Sequence, residues 1–188
     1  MNLKGFLTSY LNDFSDLVKP DEHLVDKLIK VADLLKAVQA DGNKVLIFGN
    51  GGSAAMASHF SVDLTKNAGL RCVNFNEADL ITCFANDYGF ERWIEKAVDF
   101  YGDAGDLLIV ISSSGSSENI LNGVKAARNG EFNAVVTFSG FSKENPLRQL
   151  GDINVWVESR AYNFVENIHQ VWLLAIVDLI IGSREYSA

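Results

Sequence analysis

The first forty residues follow the spacing of two amphipathic helices. Apolar side chains recur every three or four positions through residues 2–18. Pro20 and Asp21 interrupt this pattern, and a second helical pattern then continues to Val38. We therefore predict a pair of N-terminal helices within residues 1–40.

After the helix pair, short apolar runs alternate with longer helical segments. The predicted strands are 44–49, 71–75, 106–112, 133–138 and 153–157. The predicted helices are 52–66, 77–86, 90–101, 117–129, 144–150 and 163–182. Several strands are continuous runs of Val, Ile and Leu, which is typical of strands covered on both faces. Strict alternation of strand and helix favours a parallel, doubly wound α/β sheet.

We expect a three-layer α/β fold built on a five-stranded parallel sheet of order 2-1-3-4-5, preceded by the helix pair. No internal repeat, low-complexity stretch or linker interrupts the sequence. One domain over residues 1–188 is the economical interpretation, with the α/β core at 44–182.

Charge and composition narrow the classes of ligand. The 188 residues carry a formal net charge of −8, so the overall field repels nucleic acid and anionic membranes. We expect neither as a partner. An anionic small molecule would need donors arranged locally, because the protein as a whole does not attract it.

The cysteines and the apolar tail indicate a cytoplasmic protein. Cys72 and Cys83 fit neither a disulfide framework nor a CxxC metal site, so we expect reduced, mostly buried thiols. The N-terminus shows no signal-peptide pattern. The apolar tail 171–182 contains Asp178 and is too short to span a bilayer, so we expect a buried helix.

The sequence SSSGSS, at 112–117, stands between a buried strand and a helix. Gly115 permits a sharp turn, the serine hydroxyls add donors, and the following helix presents free backbone N–H groups. Together these features predict a phosphate site without lysine. The competing interpretation is that Ser116 or Ser117 merely caps the helix.

A second loop, FGNGGSAAMASHF at 48–60, has the same design, with three glycines and polar groups at Asn50 and Ser53. It also satisfies a loosened dinucleotide fingerprint, for which Glu77 could supply the acid after the second strand. Strands one and three are neighbours in the expected sheet, so both loops meet where such folds bind ligands. A sugar phosphate suits this pair of loops better than a dinucleotide, which would leave the serine loop unused.

Four segments resemble the SIS (sugar isomerase) domain family and, within it, the phosphoheptose isomerases. They are GNGGSAAMASHF, CFANDYGFE, ISSSGSSENI and VENIHQ, and their order and spacing agree over essentially the whole chain. The resemblance implies a homotetramer with active sites between subunits. It implies a phosphosugar aldose–ketose isomerase acting through an enediol, on sedoheptulose 7-phosphate or a related sugar of surface-polysaccharide synthesis.

The resemblance also assigns residues to this site. It implies phosphate donors at Ser112, Ser113, Ser114 and Ser117. It places the sugar near Asn50, Gly51, Gly52, Ser53 and Asp87, and near Asn163, where relatives have an aspartate.

The chain departs from the family at the positions that handle protons. The usual glutamate after the glycine loop is Asp63, the usual histidine of the last helix is Leu174, and a usual glutamine is Glu166. Leucine cannot transfer a proton. We therefore hypothesise that Glu166 or Asp63 is the base, with His59 or His169 assisting.

Some family members hold zinc at this place, and no cofactor is otherwise expected. His59 and Asp63 stand four residues apart on one helix, so with Glu166 they form a partial ligand set. The competing interpretation is that His59 is a hydrogen-bonded packing residue.

Two other functions remain open from the sequence. A tetrameric SIS scaffold could bind a ligand or a protein partner, as in relatives that associate with the bacterial replication initiator, without catalysis. A nucleotide-dependent oxidoreductase would use the glycine loop alone. The intact serine loop and the gained carboxylate of Glu166 favour the isomerase over both.

Overall fold

The two N-terminal helices form where the amphipathic pattern predicts them. In the computed structural model, which describes residues 2–186, α1 is Leu3–Val18 and α2 is Glu22–Ala40. The side chains of Asn2 and Asp21 cap them by accepting backbone N–H groups of the first turns. Met1, Ser187 and Ala188, which the expected domain includes, lie outside the described residues.

The five apolar runs pair into one parallel sheet. The strands are β1 (Val45–Phe48), β2 (Cys72–Val73), β3 (Leu107–Ser112), β4 (Ala134–Ser139) and β5 (Ile153–Trp156). Their order is β2-β1-β3-β4-β5 and every neighbouring pair is parallel, which confirms the predicted fold. β1, β3 and β4 are buried along their whole length, as their continuous apolar sequences require.

Helices cover both faces of this sheet. They are α3 (Gly52–Lys66), α4 (Ala78–Tyr88), α5 (Trp93–Tyr101), α6 (Glu118–Asn129) and α7 (Tyr162–Ile181). One core lies between the sheet and α2, α3 and α7, and another lies between the sheet, α5 and α6. Phe60 and Trp93 are buried in these two cores, and such burial stabilises by roughly 1.5–3 kcal/mol for each large apolar side chain.

Two predicted elements are shorter than expected. The helix predicted at 144–150 is only a four-residue 3₁₀ turn, Pro146–Gln149. Pro146 starts this turn and Gly151 follows it, so too few residues remain to complete an α-helix. β2 has only two residues and lies at the sheet edge.

The last helix, α7 (Tyr162–Ile181), forms where the sequence predicts it, at 163–182. With 20 residues, α7 is long and apolar enough to cross a membrane by length and composition alone. Its inward face, which includes Val165, Ile168 and Leu173, is instead fully buried in the core formed with α2 and α3. This packing is that of a core helix.

The two thiols differ in their surroundings. Both cysteines are free, but only Cys72 is buried as expected. Cys83 lies on the exposed face of α4, and its Sγ is 3.7 Å from Oδ2 of Asp87.

Candidate active site

A cavity of about 200 Å³ opens at the carboxyl ends of β1 and β3, where the glycine and serine loops meet. Its lining consists of Asn50, Ser53, Ile111, Ser112, Ser113, Ser114, Ser117, Tyr162 and Glu166. β1 and β3 are neighbours whose following helices lie on opposite faces of the sheet. This is the switch point at which doubly wound sheets bind ligands. We call this space the serine cavity.

The serine loop holds one donor without a partner. Ser112 Oγ accepts the N–H of Gly115 at 3.2 Å and lies 3.3 Å from Ser117 Oγ. Ser113 is buried, and its hydroxyl has no hydrogen-bond partner among residues 2–186. Leaving a buried hydroxyl unpaired costs about 1–3 kcal/mol. A ligand oxygen in the serine cavity would remove this cost.

Three helix N-termini border the serine cavity, through Ser53 of α3, Ser117 of α6 and Tyr162 of α7. Ser117 is the N-cap residue of α6, yet its side chain makes no capping hydrogen bond. Capping therefore does not account for the serine cluster. The first turns of α3 and α7 also lack a side-chain cap. The positive ends of the helix dipoles favour an anion, so the site suits phosphate.

The glycine and serine loops are tied together by two amide side chains. Asn50 and Asn119 each donate an Nδ2–H to the other's Oδ1, at 3.0 and 2.9 Å. Asn119 is buried, and its Oδ1 also accepts the N–H of Ile120. Glu77, the acid that a dinucleotide site would need, is instead the N-cap residue of α4 and lies outside the cavity lining.

Glu166 is the carboxylate that lines the serine cavity. A Cβ on Gly52 would lie 2.3 Å from Glu166 Oε2, so the carboxylate occupies the space that this glycine leaves open at the start of α3. Burial raises the pKa of Glu166 above its usual value. A carboxylate with a raised pKa is a stronger base, which suits removal of a proton from carbon.

His59 and Asp63 form a pair on α3, outside the lining of the serine cavity. His59 Nε2 lies 3.2 Å from Asp63 Oδ2, and its Nδ1 lies 3.2 Å from the amide nitrogen of Gln170 on α7. The His59 side chain is 53% exposed. In a single chain, this pair is not brought together with Glu166.

His169 lies in the core and not in the serine cavity. It is fully buried, its Nε2 donates to the backbone carbonyl of Ser139 at 3.1 Å, and its ring packs edge-on against Phe138. Nδ1 has no partner among the described residues. A spacing of three residues puts Glu166 and His169 close together on α7, but Glu166 lines the cavity while His169 is buried in the core. His169 therefore does not reach a ligand in the cavity.

The buried imidazole predicts an acid-sensitive stability. Burial lowers the pKa of His169 from 6.5 to about 4. Between these values the unfolded chain binds a proton that the folded chain does not, so stability falls as the pH falls. From about pH 7 to pH 5 the loss is about 2 kcal/mol. Urea unfolding at both pH values should show this loss in the wild type but not in His169→Gln. An equal pH dependence of the two proteins would contradict the assignment.

The expected zinc ligands do not assemble within one chain. His59 and Asp63 are adjacent, but Glu166 turns against Gly52. Across residues 2–186, no group of three or more His, Cys, Asp or Glu side chains could hold a metal ion. Within one chain these residues therefore do not form a zinc set, and zinc binding stays a prediction.

Besides Gly51 and Gly52, two further expected sugar contacts lie outside the lining of the serine cavity of their own chain. Asp87 is exposed on α4, where its Oδ1 accepts from the amide of Asn86 at 2.9 Å. Asn163 is exposed in the first turn of α7. Both remain predictions as sugar contacts.

Three site residues were not anticipated from the sequence. Tyr162 lines the cavity and packs edge-on against Phe141, with ring centroids 4.9 Å apart. Asn145 is buried beside Gly115, and Asn119 ties the two loops together. Asn119 lies inside the serine motif, so position alone could have indicated it. Tyr162 and Asn145 carry no comparable sequence signal.

Comparison with known proteins agrees with this geometry. The SIS domain family model matches residues 9–139. A phosphoheptose isomerase of Fusobacterium nucleatum is 34% identical to this chain, and the match covers 95% of this chain and 93% of the relative. One from Bordetella avium is 30% identical over 98% of this chain and 100% of the relative.

Solved structures give the same result. The phosphoheptose isomerase of Neisseria gonorrhoeae superposes with a TM-score of 0.86 at 30% identity, covering 95% of this chain and 99% of that one. That of Francisella tularensis gives 0.89 at 26% identity, with 97% and 100% covered. The chain therefore belongs to the SIS domain family and, within it, to the phosphoheptose isomerases.

Proposed function

We propose that this protein interconverts sedoheptulose 7-phosphate and D-glycero-D-manno-heptose 7-phosphate, an aldose–ketose isomerisation in the heptose synthesis of surface polysaccharides. The observation that carries this proposal is one cavity that combines an unpaired buried hydroxyl, that of Ser113, with a single carboxylate, Glu166. The names of the relatives in Fusobacterium nucleatum and Bordetella avium support the substrate.

The phosphate end of the sugar binds to the serine loop. The hydroxyls of Ser112, Ser113, Ser114 and Ser117 and the first N–H groups of α6 donate to its oxygens. Binding there satisfies the unpaired Ser113 hydroxyl. It also anchors the substrate so that its reacting end extends across the cavity, which lowers the entropic cost of the chemical step.

Glu166 is proposed to carry the proton between the two reacting carbons. The carboxylate removes a proton from C1 of the ketose while the C2 carbonyl oxygen gains a proton, which gives the enediol. Glu166 then returns its proton to C2 as the C1 oxygen loses its own, which gives the aldose. One carboxylate can serve both carbons because they are bonded to each other. Asn50 and Ser53 are placed to hydrogen-bond the sugar oxygens.

We further propose a homotetramer whose sites lie between subunits. α1 contains no buried residue and exposes an apolar face formed by Leu3, Phe6, Leu7 and Leu11. Val62 on α3 and Val171 on α7 are exposed beside the His59–Asp63 pair. A neighbouring copy that covers these surfaces would bury them. It would also bring side chains that miss their own cavity, such as Asp63 and Asp87, toward another one. Sedimentation velocity tests the assembly, and a monomer at micromolar concentration would contradict it.

The same proposal places the enzyme in the cytoplasm and requires no cofactor. The free cysteines suit a reducing compartment. A non-catalytic scaffold, the alternative considered from the sequence, is not favoured, because the matched relatives are isomerases and Glu166 supplies a base in the cavity.

Deuterium exchange tests the reaction directly. The purified protein is incubated with sedoheptulose 7-phosphate in deuterated water and followed by NMR. We expect the aldose to form with deuterium at C2, because the enediol takes a proton from solvent-exchanged Glu166. Binding of the sugar phosphate without deuterium exchange or product formation would contradict the proposed isomerase activity. It would favour the non-catalytic scaffold instead.

A further inference from the structure

A second cavity, of about 390 Å³, lies between the turn that joins α1 to α2 and the end of β5. Much of its wall is cationic or aromatic, from Lys19, His23, Lys27, Lys143, Arg148 and Trp156. None of these residues lines the serine cavity. We call this space the basic cavity.

Three cations of the basic cavity have no acidic partner. Lys27, Lys143 and Arg148 make no ion pair with any residue in the described range 2–186. The chain has 24 acidic side chains against 16 Lys and Arg. Acidic partners are therefore abundant, so unpaired cations gathered around one cavity point to an anion that comes from outside the chain.

The wall of the basic cavity also contains three acidic residues, and one of them pairs with a wall lysine. Asp16 accepts from Lys19 at 2.6 Å, and Asp21 accepts the N–H of Leu24 at 2.7 Å as the cap of α2. Glu158 is the remaining acid of the lining, and it is exposed. The four Lys and Arg side chains of the wall exceed its three acidic side chains by one.

The cationic groups are held in place by contacts with the backbone and with an indole. Lys27 Nζ donates to the carbonyl of Asn154 at 2.7 Å. The Arg148 guanidinium lies 4.9 Å from the ring of Trp156, and its Nη1 donates to the carbonyl of Lys143 at 2.7 Å. Burial lowers the pKa of Lys27, the nearby Arg148 charge lowers it further, and the Asp21 carboxylate raises it. An anion between the two would relieve this repulsion.

We propose that the basic cavity is a second anion site that binds a small diphosphate. The guanidinium of Arg148 and the ammonium groups of Lys27 and Lys143 carry three positive charges, more than the charge of one phosphate group. Arg–phosphate contacts are strong and directional. The volume lies within the range of about 300–1,000 Å³ that small-molecule sites occupy. A free pyrophosphate and the diphosphate group of a nucleotide share this chemistry.

Residues 140–156 connect the basic cavity to the serine loop through hydrogen bonds. The Trp156 indole N–H donates to the carbonyl of Gly140 at 3.1 Å, and the Gly140 N–H donates to the carbonyl of Ser113 at 3.0 Å. The Arg148 N–H donates to Asn145, which is buried beside Gly115. Occupancy of the basic cavity therefore changes the KM for the sugar phosphate, a consequence that rests on the proposed function.

Isothermal titration with inorganic pyrophosphate tests the site. The wild type is compared with Lys27→Gln and with Lys30→Gln, a matched control that removes the same charge from the exposed side of α2, outside the basic cavity. We expect affinity to fall about tenfold or more in Lys27→Gln, because a charge-assisted hydrogen bond is lost, and to change little in Lys30→Gln. Retained binding of inorganic phosphate at the serine loop would show that Lys27→Gln is folded.

Two binding results would overturn the proposal. One is the absence of pyrophosphate binding to the wild type. The other is equal binding by Lys27→Gln and the wild type, which would assign the pyrophosphate to the serine cavity. Tighter binding of ADP than of pyrophosphate would support a nucleotide as the source of the diphosphate, and equal or weaker binding would support free pyrophosphate.

The binding measurements need no isomerase activity, so they stand even if the proposed reaction fails. The activity measurement is separate. In the wild type, pyrophosphate should change the KM for the sugar phosphate, and in Lys27→Gln this change should disappear. Binding to the basic cavity with an unchanged KM would overturn the coupling between the two cavities.

Discussion

Replacing Glu166 by glutamine is expected to lower kcat by about a hundredfold or more while sugar-phosphate binding persists, because general-base catalysis contributes roughly 10²–10⁴-fold. Glutamine keeps the shape of the side chain against Gly52 but cannot accept a proton from carbon. The serine loop, which holds the phosphate, is unchanged by the substitution. A loss in kcat without loss of binding is therefore the signature of a base.

The pH dependence supplies a second readout of the same group. Burial raises the pKa of Glu166 above 4.5, and only the ionised form can accept a proton. In the wild type, kcat/KM should fall on the acid side with an apparent pKa above 4.5. The raised pKa also means that ionisation of Glu166 disfavours the folded state as the pH rises through that range. Glu166→Gln should therefore be at least as stable as the wild type at neutral pH, so lost activity cannot be attributed to unfolding.

The matched control is Glu22→Gln, which makes the same change at an exposed position on α2. We expect it to leave kcat unchanged. Asp63→Asn is the competing variant, since Asp63 occupies the position of the usual family glutamate. Full activity in Glu166→Gln together with its loss in Asp63→Asn would assign the proton transfer to Asp63.

Replacing Gly115 by alanine is expected to weaken phosphate binding at the serine loop. Gly115 has φ +64°, which strains any residue with a Cβ, and its added Cβ would lie 2.0 Å from Asn145 Oδ1. Asn145 cannot easily move, because its amide donates to Ser139 Oγ and to the carbonyls of Gly140 and Ser142. The loop must shift instead, and its hydroxyls shift with it.

Gly42→Ala separates backbone strain from the clash. Gly42 has a comparable φ of +77°, but its Cβ would meet nothing within 4 Å. Both variants carry a strain of about 1–3 kcal/mol, and only Gly115→Ala should also lose phosphate affinity, by about tenfold or more. Denaturant unfolding and phosphate titration measure the two effects. Equal phosphate affinity in the two variants would contradict the role assigned to Gly115.

The sequence predicted the framework because its signals are local. Continuous apolar runs, the break at Pro20 and the glycine-rich loops each depend on neighbours along the chain. The parallel sheet then brings loops that follow adjacent strands to one edge, so the serine cavity could be anticipated. The segment at 144–150 failed as a helix because Pro146 and Gly151 leave too few residues for α-helical hydrogen bonds.

The proton-handling groups were harder to predict because they depend on how helices are rotated against the sheet. Spacing alone relates His169 to Glu166, but packing turns one side chain into the core and the other into the cavity. The pairing of His59 with Asp63 followed from an i, i+4 separation. The distance of this pair from the serine cavity could not be predicted from the sequence, because it depends on the tertiary packing of α3 against α7.

The reciprocal amides of Asn50 and Asn119 have a consequence for how this enzyme can diverge. They fix both loops before any ligand arrives, and the phosphate donors are largely backbone groups and small hydroxyls. Tyr162, in contrast, is an exposed side chain at the rim of the same cavity. Point mutations at the rim can therefore change the sugar specificity without changing phosphate binding. Few substitutions are needed for the enzyme to accept a new sugar phosphate.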